Sequence, residues 1–209
     1  MKQSIFYRNP RLYSVYLRLC FPFFNVRKRF KLISKEIGKN QRVLDIACGP
    51  GILFRCLDRS CTYNGFDLNE KFISHINKKH NFNLKTGSVI DEKLYSNADV
   101  IVAMDILHHI PRKQREKVIE LCLKYANKKL IVCEPFVPPF FKKKSWFTRI
   151  AECLFESTES DGFNRVTLKQ GYYEDELKKA MQDNFNAKKK VKVTIKKDIA
   201  GHLIAIYEK

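Results

Sequence analysis

The 209-residue sequence predicts an α/β fold, in which a mostly parallel sheet carries helices on both faces. Strand-like apolar runs occur at residues 43–46, 98–104 and 130–134, and segments with helical periodicity lie between them. This alternation favours parallel strands, because each helix returns the chain to the same end of the sheet. The length is sufficient for a single α/β core with an added lid.

Four helices are predicted before the strand at residues 130–134. The first precedes the first strand, and Gly38 stands where its C-terminal cap belongs. Its apolar side chains recur at helical spacing: Val26, Phe30, Ile33 and Ile37. The other three are expected at residues 51–59, 69–80 and 112–127, between the successive strands.

The end of the chain changes from alternating elements to two consecutive strands. Val191, Val193 and Ile195 alternate with lysines, which is typical of a strand with one buried face. A turn at residues 198–201 leads into a second apolar run at residues 203–207. The sequence therefore predicts a closing strand pair joined by a tight loop.

The loop after the first strand carries most of the functional information. Gly49 and Gly51 lie two residues apart, and glycine lets the backbone approach a ligand closely. A dinucleotide fingerprint needs a small third residue, where Phe54 stands, and the Gly-Lys-Ser/Thr end of a P-loop is absent. Since Asp45 precedes the loop, the pattern favours a nucleoside with a positively charged or zwitterionic tail.

Five motifs together resemble the class I S-adenosylmethionine-dependent methyltransferases. In chain order they lie at residues 44–51, 63–67, 98–105, 107–111 and 130–135. The resemblance covers residues 40–135 well and the rest in outline. It implies a Rossmann-like doubly wound seven-stranded sheet, mostly parallel with one antiparallel C-terminal strand, and S-adenosyl-L-methionine as the cofactor.

The resemblance also implies a set of cofactor-binding residues. The glycine loop would surround the methionine part, and Asp45 would orient both the loop and the ammonium group. Asp67 would accept two hydrogen bonds from the ribose hydroxyls, which a charged acceptor makes stronger. The full set is Asp45, Ala47, Cys48, Gly49, Gly51, Asp67, Leu68, Ser88, Val89 and Met104.

The third strand departs from the family pattern. Ser88 stands where the family usually has an acidic residue that accepts a hydrogen bond from the adenine amino group. A serine hydroxyl can also accept that bond, and the backbone amide of Val89 can serve the adenine ring. Asp91 is an alternative acceptor, and in another interpretation Ser88 simply ends the strand.

The loop after the fourth strand is expected to face the methyl acceptor. His109, His108 and Asp105 are the candidate catalytic residues, and an imidazole titrates near neutral pH. A base is needed only where the acceptor must lose a proton. Alternatively, one histidine packs and caps the turn. These three residues could form a metal site, but no metal ligand is assigned.

The predicted organisation is a basic, aromatic helical cap over residues 1–40 and a methyltransferase domain over residues 41–209, with a lid or substrate insert at about residues 135–185. The chain carries a net charge of +18, and residues 1–40 hold ten Lys/Arg against one Glu. Aromatic residues interleave with these charges and with the lysines at residues 142–144. Such segments bind anionic membrane surfaces or nucleic acid. Alternatively, the aromatic residues form a lid over the cofactor and the lysines are only a solvated surface.

The favoured hypothesis is methyl transfer to a small hydrophobic, lipid-like or quinone-like acceptor, because the N-terminal aromatics form a dense apolar block. The alternatives are an RNA methyltransferase that uses the basic surface and a non-catalytic S-adenosylmethionine-binding module. The seven cysteines include no Cys-x-x-Cys pair, and no apolar run of about 18 residues or signal peptide is evident. A cytoplasmic protein with peripheral membrane contact through the N-terminal segment is therefore expected, with the oligomeric state open.

Overall fold

The computed structural model describes residues 4–19, 26–136, 174–186, 192–197 and 202–209, together with Trp146, Arg149, Ile150 and Cys153. Seven strands form one sheet. They are β1 (Arg42–Ile46), β2 (Thr62–Asp67), β3 (Lys85–Thr86), β4 (Ala98–Met104), β5 (Ala126–Pro135), β6 (Lys192–Lys197) and β7 (His202–Glu208). The predicted insert at residues 135–185, the turn at residues 198–201 and the aromatics at positions 21–24 lie wholly or mostly outside the described residues.

The order of the strands is β3-β2-β1-β4-β5-β7-β6. β1 pairs in parallel with β2 and β4, and β7 runs antiparallel to both β5 and β6. The predicted doubly wound, mostly parallel sheet with one antiparallel C-terminal strand is therefore confirmed. The predicted closing strand pair is confirmed as well.

Helices cover the sheet on both sides. They are α1 (Ile5–Arg8), α2 (Pro10–Leu19), α3 (Val26–Ile37), α4 (Glu70–His80), α5 (Arg112–Tyr125) and α6 (Glu174–Asn186). The predicted helices that correspond to α3, α4 and α5 are confirmed within one or two residues. Gly38 takes the left-handed conformation (φ +84°) and its amide donates to the Ser34 carbonyl, as expected for a helix end.

Alternate residues of the central strands enter two separate cores. Ile101 and Ala103 of β4 pack toward α5 and α6, whereas Val100 and Val102 pack toward α3. This period of two is the pattern of a strand buried on both faces. A smaller cluster joins α4 to the glycine loop through Cys48 and shares Tyr63 with the α3 core.

The helix predicted at residues 51–59 is wrong. The segment forms turns and a single 3₁₀ turn at Phe54–Cys56. The Asp58 side chain accepts hydrogen bonds from the Ser60 amide and hydroxyl, so the chain turns away before a second helical turn can form. Leu53 enters the α3 core while the Phe54 ring packs edge-on against Phe82, and these contacts offset the unmade helical hydrogen bonds.

Among the described residues, no helix is both long and apolar enough to cross a membrane.

Candidate active site

A cavity of about 310 Å³ opens at the carboxyl ends of β1, β2 and β4. This is where ligands bind in open α/β sheets, because the loops that follow parallel strands meet at that edge. One end of the cavity is formed by the loops after β1, β2 and β3. The other end is formed by α1, α2, α3 and the loop between β4 and α5.

The glycine loop after β1 is held open by its backbone conformation. Ala47 and Gly49 both have positive φ, +56° and +53°, and such a conformation is uncommon for a residue with a side chain. The Gly49 amide donates a 2.8 Å hydrogen bond to Oδ2 of Asp67, which ties the loop to the end of β2. A Cβ at Gly65 would lie 2.8 Å from the Asp45 carbonyl oxygen, so the absence of a side chain lets β2 approach β1.

Asp45 is a strongly perturbed acid of the cavity wall. Its side chain is buried and accepts a 2.8 Å hydrogen bond from the Tyr63 hydroxyl. Burial raises the pKa of this carboxyl to about 7; the Tyr63 hydrogen bond opposes that shift and the charge of Asp67 adds to it. A buried, half-ionised carboxylate of this kind is suited to pairing with a ligand cation.

Asp67 stands opposite, at the end of β2. Oδ1 accepts a 2.7 Å hydrogen bond from the Asn69 amide, and Oδ2 accepts the bond from Gly49. Each carboxylate oxygen has two lone pairs, so one bond from a backbone amide does not exhaust its capacity to accept hydrogen bonds. The half-buried Asp67 can therefore accept hydrogen bonds from a vicinal diol without losing its contacts to the two loops.

An ion pair between the buried Arg29 and the half-buried Asp105 marks the other end of the cavity. Two guanidinium nitrogens of Arg29 donate to the two carboxylate oxygens of Asp105, at 2.8 and 2.5 Å. Burial acts to raise the pKa of Asp105, but Arg29, His202 and His108 together lower it below its usual value. Asp105 also has a positive φ of +52°, so strained backbone lies on both sides of the cavity.

The two histidines after β4 have different surroundings. His109 lies in the cavity wall, and its ring lies edge-on to Tyr7 with centroids 6.4 Å apart. His108 is not part of that wall: its Nδ1 lies 2.8 Å from Oε2 of the buried Glu134. Oε1 of Glu134 accepts hydrogen bonds from the Ile106 and Leu107 amides, at 2.7 and 2.8 Å. Glu134 and His108 thus fix the loop that presents His109.

The N-terminal helices complete the cavity. The rings of Tyr7, Tyr13 and Phe72 pack together with centroids 5.1–6.0 Å apart, and all three line the space. The Asn69 side-chain amide donates a 2.7 Å hydrogen bond to the Tyr7 carbonyl, which attaches α1 to the loop that carries Asp67. This wall of the cavity is therefore aromatic and apolar, in contrast to the acidic glycine-loop end.

Eleven of the thirteen predicted site residues lie together in the cavity wall: Asp45, Ala47, Cys48, Gly49, Asp67, Leu68, Ser88, Val89, Met104, Asp105 and His109. Gly51 and His108 do not. Gly51 (φ +71°) packs under Ile76 of α4, where an added Cβ would lie 3.3 Å from that side chain. The alternative adenine acceptor, Asp91, accepts a hydrogen bond from the Lys93 amide outside the cavity.

Asp45, Asp67, Asp105 and Glu134 all stand at or near the carboxyl ends of strands, so the sequence also predicts that the four carboxylates line one crevice; for Glu134 this prediction is wrong. Its side chain points into the loop after β4, where three amides and an imidazole surround it. Sequence reasoning also missed several residues of the cavity wall: Tyr7, Tyr13, Arg29, Phe30, Asn69 and Phe72. The dense aromatic block of the N-terminal segment was the available signal for the first two. Among the described residues, no group of three or more His, Cys, Asp and Glu side chains could hold a metal ion.

Residues 43–129 match the methyltransferase domain family. No curated protein matches the chain. Three solved structures have a similar fold: an O-methyltransferase family protein from Burkholderia thailandensis, the magnesium protoporphyrin IX methyltransferase from Synechocystis PCC 6803 with bound SAH, and the plantazolicin methyltransferase BamL with a triazolic desmethylPZN analogue and SAH.

These likenesses are in fold, at low sequence identity. The Burkholderia protein is 14% identical with a TM-score of 0.63, covering 96% of this chain and 59% of its own length. The Synechocystis enzyme is 16% identical with a TM-score of 0.59, and the alignment covers 89% of this chain and 83% of the enzyme. BamL is 13% identical with a TM-score of 0.66, and the alignment covers 98% of this chain and 92% of BamL. This chain thus spans less than two thirds of the length of the Burkholderia protein.

The matched segment begins in β1 and ends in β5, so it contains the glycine loop, Asp67 and the loop after β4. The strand order and the cavity at the carboxyl ends of the strands agree with it. Residues 43–129 therefore form a methyltransferase domain, and the described fold is that of the class I S-adenosylmethionine-dependent methyltransferases.

Proposed function

We propose that this protein is an S-adenosylmethionine-dependent methyltransferase that acts on a small hydrophobic acceptor, of lipid-like or quinone-like chemistry, bound beneath α1 and α2. The observation that carries the proposal is the aromatic wall formed by Tyr7, Tyr13 and Phe72 beside His109. Apolar rings give an acceptor of this kind area to pack against, and the imidazole adds one polar group. A charged or strongly polar acceptor would leave its polar groups without partners against such a wall.

The glycine-loop end of the cavity suits S-adenosylmethionine. Asp45 and Asp67 place two carboxylates there, whereas the third acid of the cavity, Asp105, is neutralised by Arg29. A ligand with an ammonium, a sulfonium and a ribose diol complements these two acids. The volume of about 310 Å³ is at the lower limit of typical ligand sites, which span about 300–1,000 Å³, so a bound cofactor leaves room for only a compact part of the acceptor.

The cofactor supplies a methyl group already activated by the positive sulfur. The contribution of the protein is then to hold the acceptor atom in line with that methyl group and to exclude water. Tyr7 and Tyr13 cover the cavity from the N-terminal side, and the hydrogen bond from Asn69 fixes α1 in that position. We assign the positioning of the acceptor to this wall.

His109 is the side chain assigned to take a proton from a hydroxyl acceptor. Asp105 is less suited as a base, because both of its oxygens accept hydrogen bonds from Arg29 and its pKa is lowered. His108 is held by Glu134 within the loop. The Arg29–Asp105 pair instead supports the wall beside His109 and keeps α3 against the loop after β4.

The test uses S-adenosylmethionine labelled in its methyl group, incubated with the purified protein and a cell extract. The extract is then separated into lipid, RNA, protein and small-metabolite fractions. We expect label in the organic phase. Label only in RNA or protein would refute the acceptor class, and cofactor binding without any transfer would favour a non-catalytic binding module.

The aromatic wall has its own variant test once an acceptor is found. Tyr13→Ala should raise the KM for the acceptor while leaving the Kd for S-adenosylmethionine within a factor of about two, because Tyr13 lies on the acceptor side. Tyr125→Ala is the matched control, a half-buried tyrosine on α5 that packs against Tyr95 outside the cavity. Equal effects of the two substitutions on KM would contradict the assignment.

A further inference from the structure

We propose that the outer face of α1, α2 and α4 docks on an anionic phospholipid membrane. The inference goes beyond the proposed function, because vesicle binding requires neither the cofactor nor methyl transfer. It rests on a groove between α2 and α4, termed here the α2–α4 groove, and on exposed apolar side chains beside it. The groove lies outside the active-site cavity; of the described residues that line the two, only Pro50 is shared.

The α2–α4 groove, about 770 Å³ in volume, is strongly basic. Its cationic residues include Arg11 from α2, Arg55 beside the glycine loop, and Lys71, Lys78 and Lys79 from α4. Glu70 is the sole acidic residue among the described residues that line it. The groove therefore carries a large excess of positive charge, which attracts anionic groups.

The three lysines of the groove face solvent. Lys71, Lys78 and Lys79 are exposed, and no carboxylate within the described part of the chain forms an ion pair with any of them. His75 belongs to α4 and lines the groove. Its pKa is lowered by burial and, to a smaller extent, by the charges of Lys79, Arg11, Arg55 and His80. The cations are thus close enough to act on one site together.

Exposed aliphatic side chains accompany the charges. Ile5, Leu12 and Val15 are 64%, 42% and 46% exposed, and Val15 lies in the groove one turn after Arg11 on the same face of α2. Helices that lie in a membrane interface combine Lys and Arg with aliphatic or aromatic side chains in this way. Headgroup phosphates would pair with the cations while the aliphatic groups enter the acyl boundary.

The composition of the groove favours lipid over nucleic acid. Proteins that bind single-stranded nucleic acid present aromatic platforms on which bases stack, and none of the described residues lining this groove is Phe, Tyr or Trp. Tyr7 of α1 and Tyr13 of α2 line the active-site cavity instead. One face of the N-terminal helices would therefore contact the membrane while the other contacts the acceptor.

The test is co-sedimentation of the full chain with vesicles of phosphatidylcholine alone or mixed with phosphatidylglycerol. Lys78→Glu/Lys79→Glu reverses two charges of the groove. Lys117→Glu/Lys179→Glu, at exposed positions of α5 and α6 on the opposite face of the sheet, is the control with the same net charge. Leu12→Ser/Val15→Ser removes aliphatic groups without changing the charge. Thermal melting by circular dichroism verifies the fold of each variant independently of any ligand.

We expect the wild-type chain to bind the mixed vesicles, and this binding should weaken with added salt. Binding by Lys78→Glu/Lys79→Glu should be at least about tenfold weaker than binding by the control. Binding by Leu12→Ser/Val15→Ser should be severalfold weaker than binding by the wild type. Equal binding of the groove variant and the control would overturn the proposal. Failure of the wild-type chain to sediment with mixed vesicles would also overturn it. So would a wild-type chain that binds an RNA oligonucleotide but does not bind the vesicles. Because no readout involves methyl transfer, these outcomes are distinguishable from failure of the proposed function.

Discussion

Replacing Asp45 by Asn should stabilise the cofactor-free protein at neutral and alkaline pH. The pKa of Asp45 is raised from 3.8 to about 7, chiefly because the folded protein buries the carboxyl. At about 1.4 kcal/mol per pKa unit, ionising this buried group costs about 4 kcal/mol. Asn removes that cost, and its side-chain oxygen can still accept the hydrogen bond from Tyr63.

The sign of the pH dependence follows from proton binding. Between about pH 4 and pH 7 the folded protein holds the Asp45 proton and the unfolded chain has released it, so the wild-type free energy of unfolding falls as pH rises through this window. Below the window the carboxyl is neutral in both states. The Asp45→Asn protein lacks this contribution. The difference in free energy of unfolding, variant minus wild type, should therefore grow by about 4 kcal/mol from pH 4 to pH 8.

Urea unfolding at a series of pH values measures this difference. Glu116→Gln, a neutralisation at an exposed position of α5, is the matched control and should show no growth of that size. The variant should also bind S-adenosylmethionine more weakly, with less dependence on pH between 6 and 7.5, because the ammonium loses its charged partner. A difference in unfolding free energy that stays constant from pH 4 to pH 8 would refute the reasoning.

Three further substitutions test separate parts of the account. Glu134→Ala should lower the free energy of unfolding by about 3 kcal/mol or more, because it leaves the buried amide of Leu107 and the half-buried amide of Ile106 without this acceptor. A loss below about 1 kcal/mol in urea unfolding would contradict this. Gly65→Ala should destabilise the protein by a similar amount, since its Cβ would lie 2.8 Å from a backbone oxygen; an unchanged melting temperature would disprove the close approach. Tyr63→Phe removes a hydrogen bond that lowers the pKa of Asp45, so the pH midpoint for cofactor binding should rise; a midpoint that stays or falls would exclude that coupling.

The parts of the site that could be predicted from the sequence depend on local order. Asp45 and Asp67 each stand at the end of a strand, and parallel strands bring their carboxyl ends to one edge of the sheet whatever else the chain does. Gly49 was predictable for the same reason, because it lies in the loop that follows the first strand. These residues required only the order of the elements and the parallel pairing.

The acceptor side could not be predicted in detail because it depends on how distant segments dock. Arg29 reaches Asp105 across 76 residues of chain, and the Tyr7 carbonyl is bound by an amide 62 residues away. The orientation of Glu134 was mispredicted for a related reason. A strand-end carboxylate can turn either into the crevice or toward the amides of a neighbouring loop, and three such amides surround this one.

Isothermal titration of S-adenosylmethionine into the wild-type, Asp67→Ala and Asp91→Ala proteins tests the central claim, that the cavity at the carboxyl ends of β1, β2 and β4 holds the cofactor. Asp67 lies in the cavity wall, whereas Asp91 lies outside it and accepts a hydrogen bond from a backbone amide. We predict binding by the wild type, at least about tenfold weaker binding by Asp67→Ala, and unchanged binding by Asp91→Ala. Absence of binding by the folded wild type, or a larger loss in Asp91→Ala than in Asp67→Ala, would contradict the account.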